Sequence, residues 1–213
     1  MTHIVYSYIL QKNHNRLLQE FLENFPSDFQ EKILKYKNWE DAQLSLLGRL
    51  LLKYGLRKIN KAYLDKELHY SKYNKPYLLN SEVRFNISHS GDIVVCAITD
   101  SNDIGIDIEK IYEINVNDFK SQLTAAEWKQ LKSSDNTKNT FFKYWTKKEA
   151  VIKANGMGLS LPLNSFDIVN NHTSLNEENF FIKEIELDLD YKCHLAFKNK
   201  FDPIISVPSK IDF

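Results

Sequence analysis

Along this chain the apolar positions follow two periods, one of two residues and one near 3.6, and the switches between them mark out the elements. His3 to Leu10, rich in Ile, Val and Tyr, predicts an opening strand. Leu17–Asn24 and Pro26–Tyr36 predict two short helices, the second announced by Pro26-Ser27-Asp28. Trp39 to Tyr54 predicts a long helix stopped by Gly55. With ~100° between successive residues, Leu44, Leu46, Leu47, Leu50, Leu51 and Leu52 cover most of its circumference, so it is expected to be buried on most sides. Ser45 and Arg49 leave one narrow polar strip. Arg84 to Ser88 alternates like a strand, with Phe85 and Ile87 inward and Asn86 and Ser88 outward. His89-Ser90-Gly91-Asp92 then makes a turn, and Ile93 to Ile98 returns as a strand buried on both faces. Thr124-Ala125-Ala126-Glu127 is a capping box opening a helix to about Lys132. Phe141 to Ala154 predicts a second long helix, ended by Asn155-Gly156, with Phe141, Trp145 and Ile152 as its apolar ridge. Ser165–Val169, Phe180–Leu187 and Lys192–Phe197 predict further strands. Each half therefore holds a long helix stopped by glycine and followed by strands, a faint internal echo.

One stretch stands out. In Ile104-Gly105-Ile106-Asp107-Ile108-Glu109 the isoleucines share one strand face and Gly105, Asp107 and Glu109 the other. The two carboxylates lie roughly 6–7 Å apart along the backbone, near enough to converge on one hard cation such as Mg²⁺, which takes oxygen ligands. Gly105 leaves room for something bulky against the strand. The alternative is an ordinary strand end with two solvated acids.

Composition narrows the classes. Hydrophobic residues at 43% and charged residues at 26% suit a soluble globular protein. Lys+Arg and Asp+Glu both total 28, so no global field marks a nucleic-acid or membrane partner. Two cysteines are too few for a disulfide framework, no stretch is apolar for long enough to span a bilayer, and the first residues lack a leader pattern. The expected setting is the cytoplasm.

Several polar residues carry two readings each. Arg49 on a mostly buried helix needs a carboxylate or a ligand phosphate. Lys32, Lys35 and Lys37 form a modest basic cluster or a solvated face. Glu149 and Lys153, four apart, make a helix pair contributing roughly 0.2–0.5 kcal/mol, or a metal ligand and a phosphate contact. Glu127 is explained by capping alone. His89, at the expected turn, is a surface residue or a neighbour of the Asp107 strand. Tyr73-Asn74-Lys75-Pro76 reads as a turn, with Lys75 held extended by the proline.

Taken together, these residues suit a metal-bound, phosphate-bearing ligand, and here the sequence resembles the 4′-phosphopantetheinyl transferases of the longer, surfactin-synthetase-activating type. The resemblance is carried by Phe85-Asn86-Ile87-Ser88-His89-Ser90, by Gly105 to Glu109 and by Phe142 to Lys153, with Asn74-Lys75-Pro76 and Gly158 to Leu163 in support. It implies a monomer of two similar α+β halves related by a pseudo-two-fold, divided here as residues 1–102 and 103–213, with the active site in the cleft between them. It further implies transfer of the phosphopantetheine arm from coenzyme A to a serine of an acyl or peptidyl carrier protein, with Mg²⁺, releasing adenosine 3′,5′-bisphosphate. By motif, Asp107, Glu109 and Glu149 would hold Mg²⁺. Ser88 and Lys153 would meet the pyrophosphate, His89 the 3′-phosphate, and Tyr73, Lys75 and Pro76 the adenine region. Glu127 falls at the position of a proposed general base. Two positions depart from the pattern: Leu44 stands where a basic 3′-phosphate contact is common, with Arg49 on the Ser45 strip as a conceivable substitute, and Asn74 stands where glycine is usual. A Mg²⁺-dependent nucleotide phosphohydrolase and a non-catalytic nucleotide-binding module are the competing readings.

Overall fold

The computed structural model describes residues 1–63, 65–202 and 204–213; the Leu159 side chain, within the Gly158–Leu163 block, lies outside the described atoms. In chain order the elements are β1 (His3–Tyr8), α1 (His14–Phe21), α2 (Ser27–Leu34), α3 (Trp39–Lys58), β2 (Leu68–Tyr70), β3 (Pro76–Leu78), β4 (Arg84–Ser90), β5 (Ile93–Thr99), β6 (Ile104–Lys110), α4 (Ala125–Lys132), α5 (Thr137–Asn155), β7 (His172–Leu175), β8 (Glu178–Glu184), β9 (Tyr191–Lys198) and β10 (Ser209–Lys210). They form an α+β protein of two similar halves. One sheet runs β10-β1-β5-β4 and the other β6-β9-β8-β7, with β2 and β3 as a separate ribbon. In both, the first strand pairs antiparallel with the last strand of the hairpin that follows the long helix.

Each sheet is buried on two faces for different reasons. Val5, Val94, Cys96 and Ile98 pack with the leucines of α3, while Ile4, Ile93, Val95 and Ala97 turn to the other side. There they meet Ile104, Ile106 and Ile108 of β6 and Cys193, Leu195 and Phe197 of β9 in one shared core. That explains the unbroken apolar run of β5, every residue of which is buried. α5 covers the far side of the second sheet, with Ala150, Val151, Ile152 and Ala154 in a further cluster with Phe180 and Ala196. The C-terminal tail returns to the first half. β10 pairs parallel with β1, and Phe213 packs on the first core.

Local signals were obeyed where they were strong. The capping box of α4 forms as expected, and α5 stops at Asn155 with Gly156 left-handed at φ 82°. Asn74 takes φ 60° in its turn, as a residue tolerant of that region can. Four expectations need correcting. α3 runs through Gly55 to Lys58, because this glycine is a packing position: a Cβ there would sit 1.9 Å from Ile98 Cδ1. β4 continues through Ser90, so His89 is a strand residue and the turn is only Gly91-Asp92, with Gly91 at φ 51°. Asn86 and Ser88 are 5% and 4% exposed, since their outward side faces the second half. Residues 165–169 form no strand; a 3₁₀ turn at Leu163–Ser165 leads into an extended segment.

Candidate active site

The second half builds an acidic face between β6 and α5. Gly105 makes that possible: a Cβ there would lie 2.2 Å from Ala150 O and 2.3 Å from Ala154 N. The bulky neighbour expected against this glycine is thus the helix backbone itself. With α5 seated so closely, Asp107 and Glu109 lie beneath the helix face that carries Glu149 and Lys153. Asp107 is 3% exposed, and Glu109 and Glu149 are half-buried. Burial raises the pKa of all three, and for Glu149 the neighbouring charge of Asp107 adds to it.

Lys153 answers part of that charge. Its Nζ donates to Asp107 Oδ1 at 2.6 Å and to Ser88 Oγ at 2.8 Å, and no ion pair with Glu149 forms among the described residues. The helix-pair reading of Lys153 therefore falls, and the residue ties α5 to a strand of the other half. Asp107 Oδ2 is buried with no hydrogen-bond partner among the described residues.

The seam between β4 and β6 is joined by side chains instead of a backbone ladder. Ile106 N–H donates to Asn86 Oδ1 at 2.8 Å, Ile108 N–H to Ser88 Oγ at 3.4 Å, and Lys110 N–H to Ser90 Oγ at 3.1 Å. The two hydroxyls pass the interaction on. Ser88 donates to Asp107 Oδ1 at 3.1 Å and Ser90 to Glu109 Oε2 at 2.6 Å. Short acceptors at alternate positions of one strand thus satisfy the exposed edge of the next.

On the other face of β4 a cleft of about 320 Å³ opens against α3 and α2, with Lys32, Ser45, Arg49, Pro76, Ile87 and His89 in its wall. Arg49 is committed within the protein, pairing with Asp65 Oδ1 at 3.1 Å, bonding Tyr63 Oη and lying over the Phe29 ring. Of the two partners expected for it, the carboxylate is the one present. Lys32, read from the sequence as part of a modest basic cluster or a solvated face, is exposed at this cleft and has no acidic partner among the described residues. Burial and the Lys153 charge lower the pKa of His89, which favours its neutral imidazole.

Of the other expected residues, Pro76 is on the cleft wall, but Tyr73 and Lys75 are not. Lys75 Nζ donates to Ile104 O and Ala154 O, both at 3.2 Å, capping the end of α5 and pinning the 71–76 turn to the second half. Burial pushes its ammonium down to about 8. Glu127 is 2% exposed, and both its oxygens are engaged. Oε2 meets Lys148 Nζ at 2.9 Å and accepts the Thr124 N–H, while Oε1 accepts the Ile168 N–H. Sealed in this way it caps a helix and neutralises a lysine. Lys148, wholly buried, also donates to Leu163 O and Phe166 O and lies over the Phe166 ring.

Among the described residues no three acids, histidines or cysteines stand close enough together to hold a metal unaided. The donor chemistry nevertheless fits Mg²⁺, which commonly uses one or two carboxylates and takes its remaining ligands from water and phosphate. Asp107 Oδ2 is a buried oxygen still lacking a partner, with Glu109 on the same face.

Comparison with known proteins matches both halves. A family model described as the 4′-phosphopantetheinyl transferase superfamily covers residues 103–202, and one described as 4′-phosphopantetheinyl transferase, N-terminal, covers residues 12–101. The chain is 37% identical over 179 residues to 4′-phosphopantetheinyl transferase gsp of Aneurinibacillus migulanus, spanning 80% of this chain and 75% of that one. It is 35% identical over 188 residues to 4′-phosphopantetheinyl transferase Sfp of Bacillus subtilis (strain 168), spanning 82% of each. A more distant relative, L-aminoadipate-semialdehyde dehydrogenase-phosphopantetheinyl transferase of Mus musculus, is 31% identical over 157 residues, 65% of this chain and 51% of that one. No helix of the described residues is long and apolar enough to cross a membrane. The chain belongs to the 4′-phosphopantetheinyl transferase superfamily and is an enzyme of that activity.

Proposed function

We propose that this phosphopantetheinyl transferase takes its arm from coenzyme A, uses Mg²⁺, and transfers the arm to a serine of a carrier protein with release of adenosine 3′,5′-bisphosphate. The observation that carries this reading is the Lys153 ammonium bridging Ser88 of one half and Asp107 of the other, beside the unpartnered Asp107 Oδ2. A lysine and a hydroxyl are donors suited to phosphate oxygens. Asp107 and Glu109, with Glu149 above them, are the residues that would hold the ion. When bound, Mg²⁺ supplies neutralisation of the charge that gathers on the pyrophosphate.

The chain's own residues do the rest. The β4 cleft takes the nucleotide end, with Lys32 and His89 as cationic contacts for the 3′-phosphate and Pro76 against the base. A phosphate beside His89 favours the imidazolium and reverses its depressed pKa. Ser88 and Lys153 orient the pyrophosphate so that the β-phosphorus faces the incoming serine. That hydroxyl forms the new O–P bond as the bond to the bridging oxygen breaks; the nucleotide leaves with the electron pair, and the serine proton passes to solvent water. Positioning and charge neutralisation dominate phosphoryl transfer, and Lys153 contributes most as oxygen charge develops. Glu127, sealed against Lys148, takes no part in the proton transfer.

The test is a mass measurement on several apo carrier proteins incubated with enzyme, coenzyme A and Mg²⁺. A gain equal to the phosphopantetheine arm on one serine is expected. Loss of coenzyme A without carrier modification would overturn the proposal.

A further inference from the structure

The Ser90 hydroxyl does two things at once. It accepts the Lys110 N–H at 3.1 Å and donates to Glu109 Oε2 at 2.6 Å. Its place is fixed by the hairpin tip just beyond it. Asp92 N–H donates to Tyr191 Oη at 3.0 Å, and Asp92 Oδ2 pairs with Lys110 Nζ at 2.8 Å. Gly91 is pressed so closely there that a Cβ would lie 2.6 Å from Lys110 Cδ and 2.8 Å from Tyr191 Oη. Ser90 thus reaches Glu109 from a strand of the other half, held on both sides. Glu109 itself is a half-buried carboxylate on three rotatable bonds, and a free rotor is a poor ligand because ordering it costs entropy.

We propose that Ser90 is a positioning residue for Glu109, through which the first half of the molecule sets the affinity of the acidic face for a divalent cation. This rests on the reading of Asp107, Glu109 and Glu149 as ion-holding residues. Hydrogen bonds to ligating carboxylates orient them and typically alter metal affinity about 10–100-fold when removed. Ser90 makes no contact with substrate in this scheme. Ser88, one rung earlier, makes the same pair of bonds to Ile108 N–H and Asp107, so the two acids are oriented by one repeated device.

The experiment measures Mn²⁺ binding to the full chain with coenzyme A saturating, by loss of the free-ion electron paramagnetic resonance signal. It compares wild type with Ser90→Ala, Ser90→Thr, Ser90→Val and Asp107→Ser, alongside metal-free thermal melts. Ser90→Ala and Ser90→Val should weaken Mn²⁺ by about 10-fold or more, and Ser90→Thr, which keeps the hydroxyl, should stay within about threefold of wild type. Thr and Val have the same shape and are both at home in a strand, so this pair decides the matter even if the alanine variant folds badly. A lowered melting point with unchanged Mn²⁺ affinity in the valine variant would make Ser90 structural only and overturn the proposal. Failure of wild type to retain Mn²⁺, or equal retention by Asp107→Ser, would instead overturn the ion-holding reading on which it stands.

Discussion

The two halves use one topology to opposite ends. Val5 lies opposite Cys96 in the first sheet, and Gly105 lies opposite Ala196 in the second, each residue displaced by 100. Two positions on, Ser7 corresponds to Asp107. In the first half this strand face is apolar or small and packs with α3, and Ser7 spends its hydroxyl on Ile211 O at 2.8 Å. In the second half it carries two acids beneath α5. Close helix–strand approach is obtained in both by glycine, but on the helix in one case and on the strand in the other. In one copy of the scaffold this strand face thus serves packing alone. The other accepts buried charge, and the counter-charge and hydroxyls for it come from Lys153 and from β4 across the seam.

The sharpest way to break this comparison is to exchange the equivalent residues. Asp107→Ser should lower transfer by roughly a thousand-fold or more, about 4 kcal/mol of barrier, while denaturant stability changes by only about 1 kcal/mol, since the lost charge was desolvated. Ser7→Asp should do the reverse. It places a carboxylate at a position 3% exposed whose present hydrogen bond is to a backbone carbonyl, and should cost about 3 kcal/mol or more of stability. Undiminished transfer by Asp107→Ser in the presence of EDTA would sink the assignment.

The second test concerns Glu127 and Lys148, which hold α5 from the side away from the first half. Glu127→Gln can still accept the Thr124 N–H but leaves Lys148 buried without its charge partner. A loss of about 3 kcal/mol in a denaturant melt is expected, at the low end for a broken buried pair because two carbonyls and a ring remain. The pH–rate profile should keep its shape. Disappearance from that profile of the acidic limb, the rise in rate as a base loses its proton, would restore Glu127 as the base.

The third isolates Lys153. Lys153→Ala should lower kcat and kcat/KM together by about 100- to 1,000-fold, or about 2.7–4 kcal/mol, since its charge matters most in the transition state. Lys153→Arg should recover only part, because a planar fork does not replace a compact ammonium between Ser88 and Asp107. Single-turnover transfer with coenzyme A saturating is the measurement. A rate within about threefold of wild type, roughly 0.65 kcal/mol, would reduce the bridge to a structural contact.

What the sequence made legible was local. The alternation of β6, the buried run of β5, the capping box of α4 and the glycine stop of α5 are each written within a few residues, and each formed as read. The misreadings share a cause, which is contact between residues distant in the chain. Polar residues at alternate positions of β4 signalled solvent, but the outward side of one half is the inward side of the assembled pair. Gly55 carries the same letter as a helix stop, yet its reason is Ile98. Arg49 found Asp65, Lys75 found two carbonyls of the second half, and Lys148 sits in a core that nothing in its neighbours announced. The signal that was available for Ser90 was the spacing of Asn86, Ser88 and Ser90, three short acceptors on one face beside a strand of acids.

The smallest expected effect separates the two glycines. Gly105→Ala places a Cβ 2.2 Å from Ala150 O and 2.3 Å from Ala154 N, atoms of helix backbone that cannot turn aside. The helix must lift from the strand, and overpacking of that kind costs about 1–3 kcal/mol. Lifting α5 also carries Glu149 and Lys153 away from Asp107, so activity should fall by more than the stability loss alone would cause. Gly55→Ala meets Ile98 Cδ1 at 1.9 Å, a shorter distance but to the tip of a side chain that can change rotamer. The helix interior gains about 1 kcal/mol from alanine over glycine, which offsets an off-rotamer cost of similar size. Its net change should lie within about 1 kcal/mol, with activity retained. Paired denaturant melts and single-turnover rates for the two variants provide the measurement. An equal loss of activity in both would mean that the spacing of α3 matters to the chemistry as much as that of α5, and the division of labour between the halves would fail.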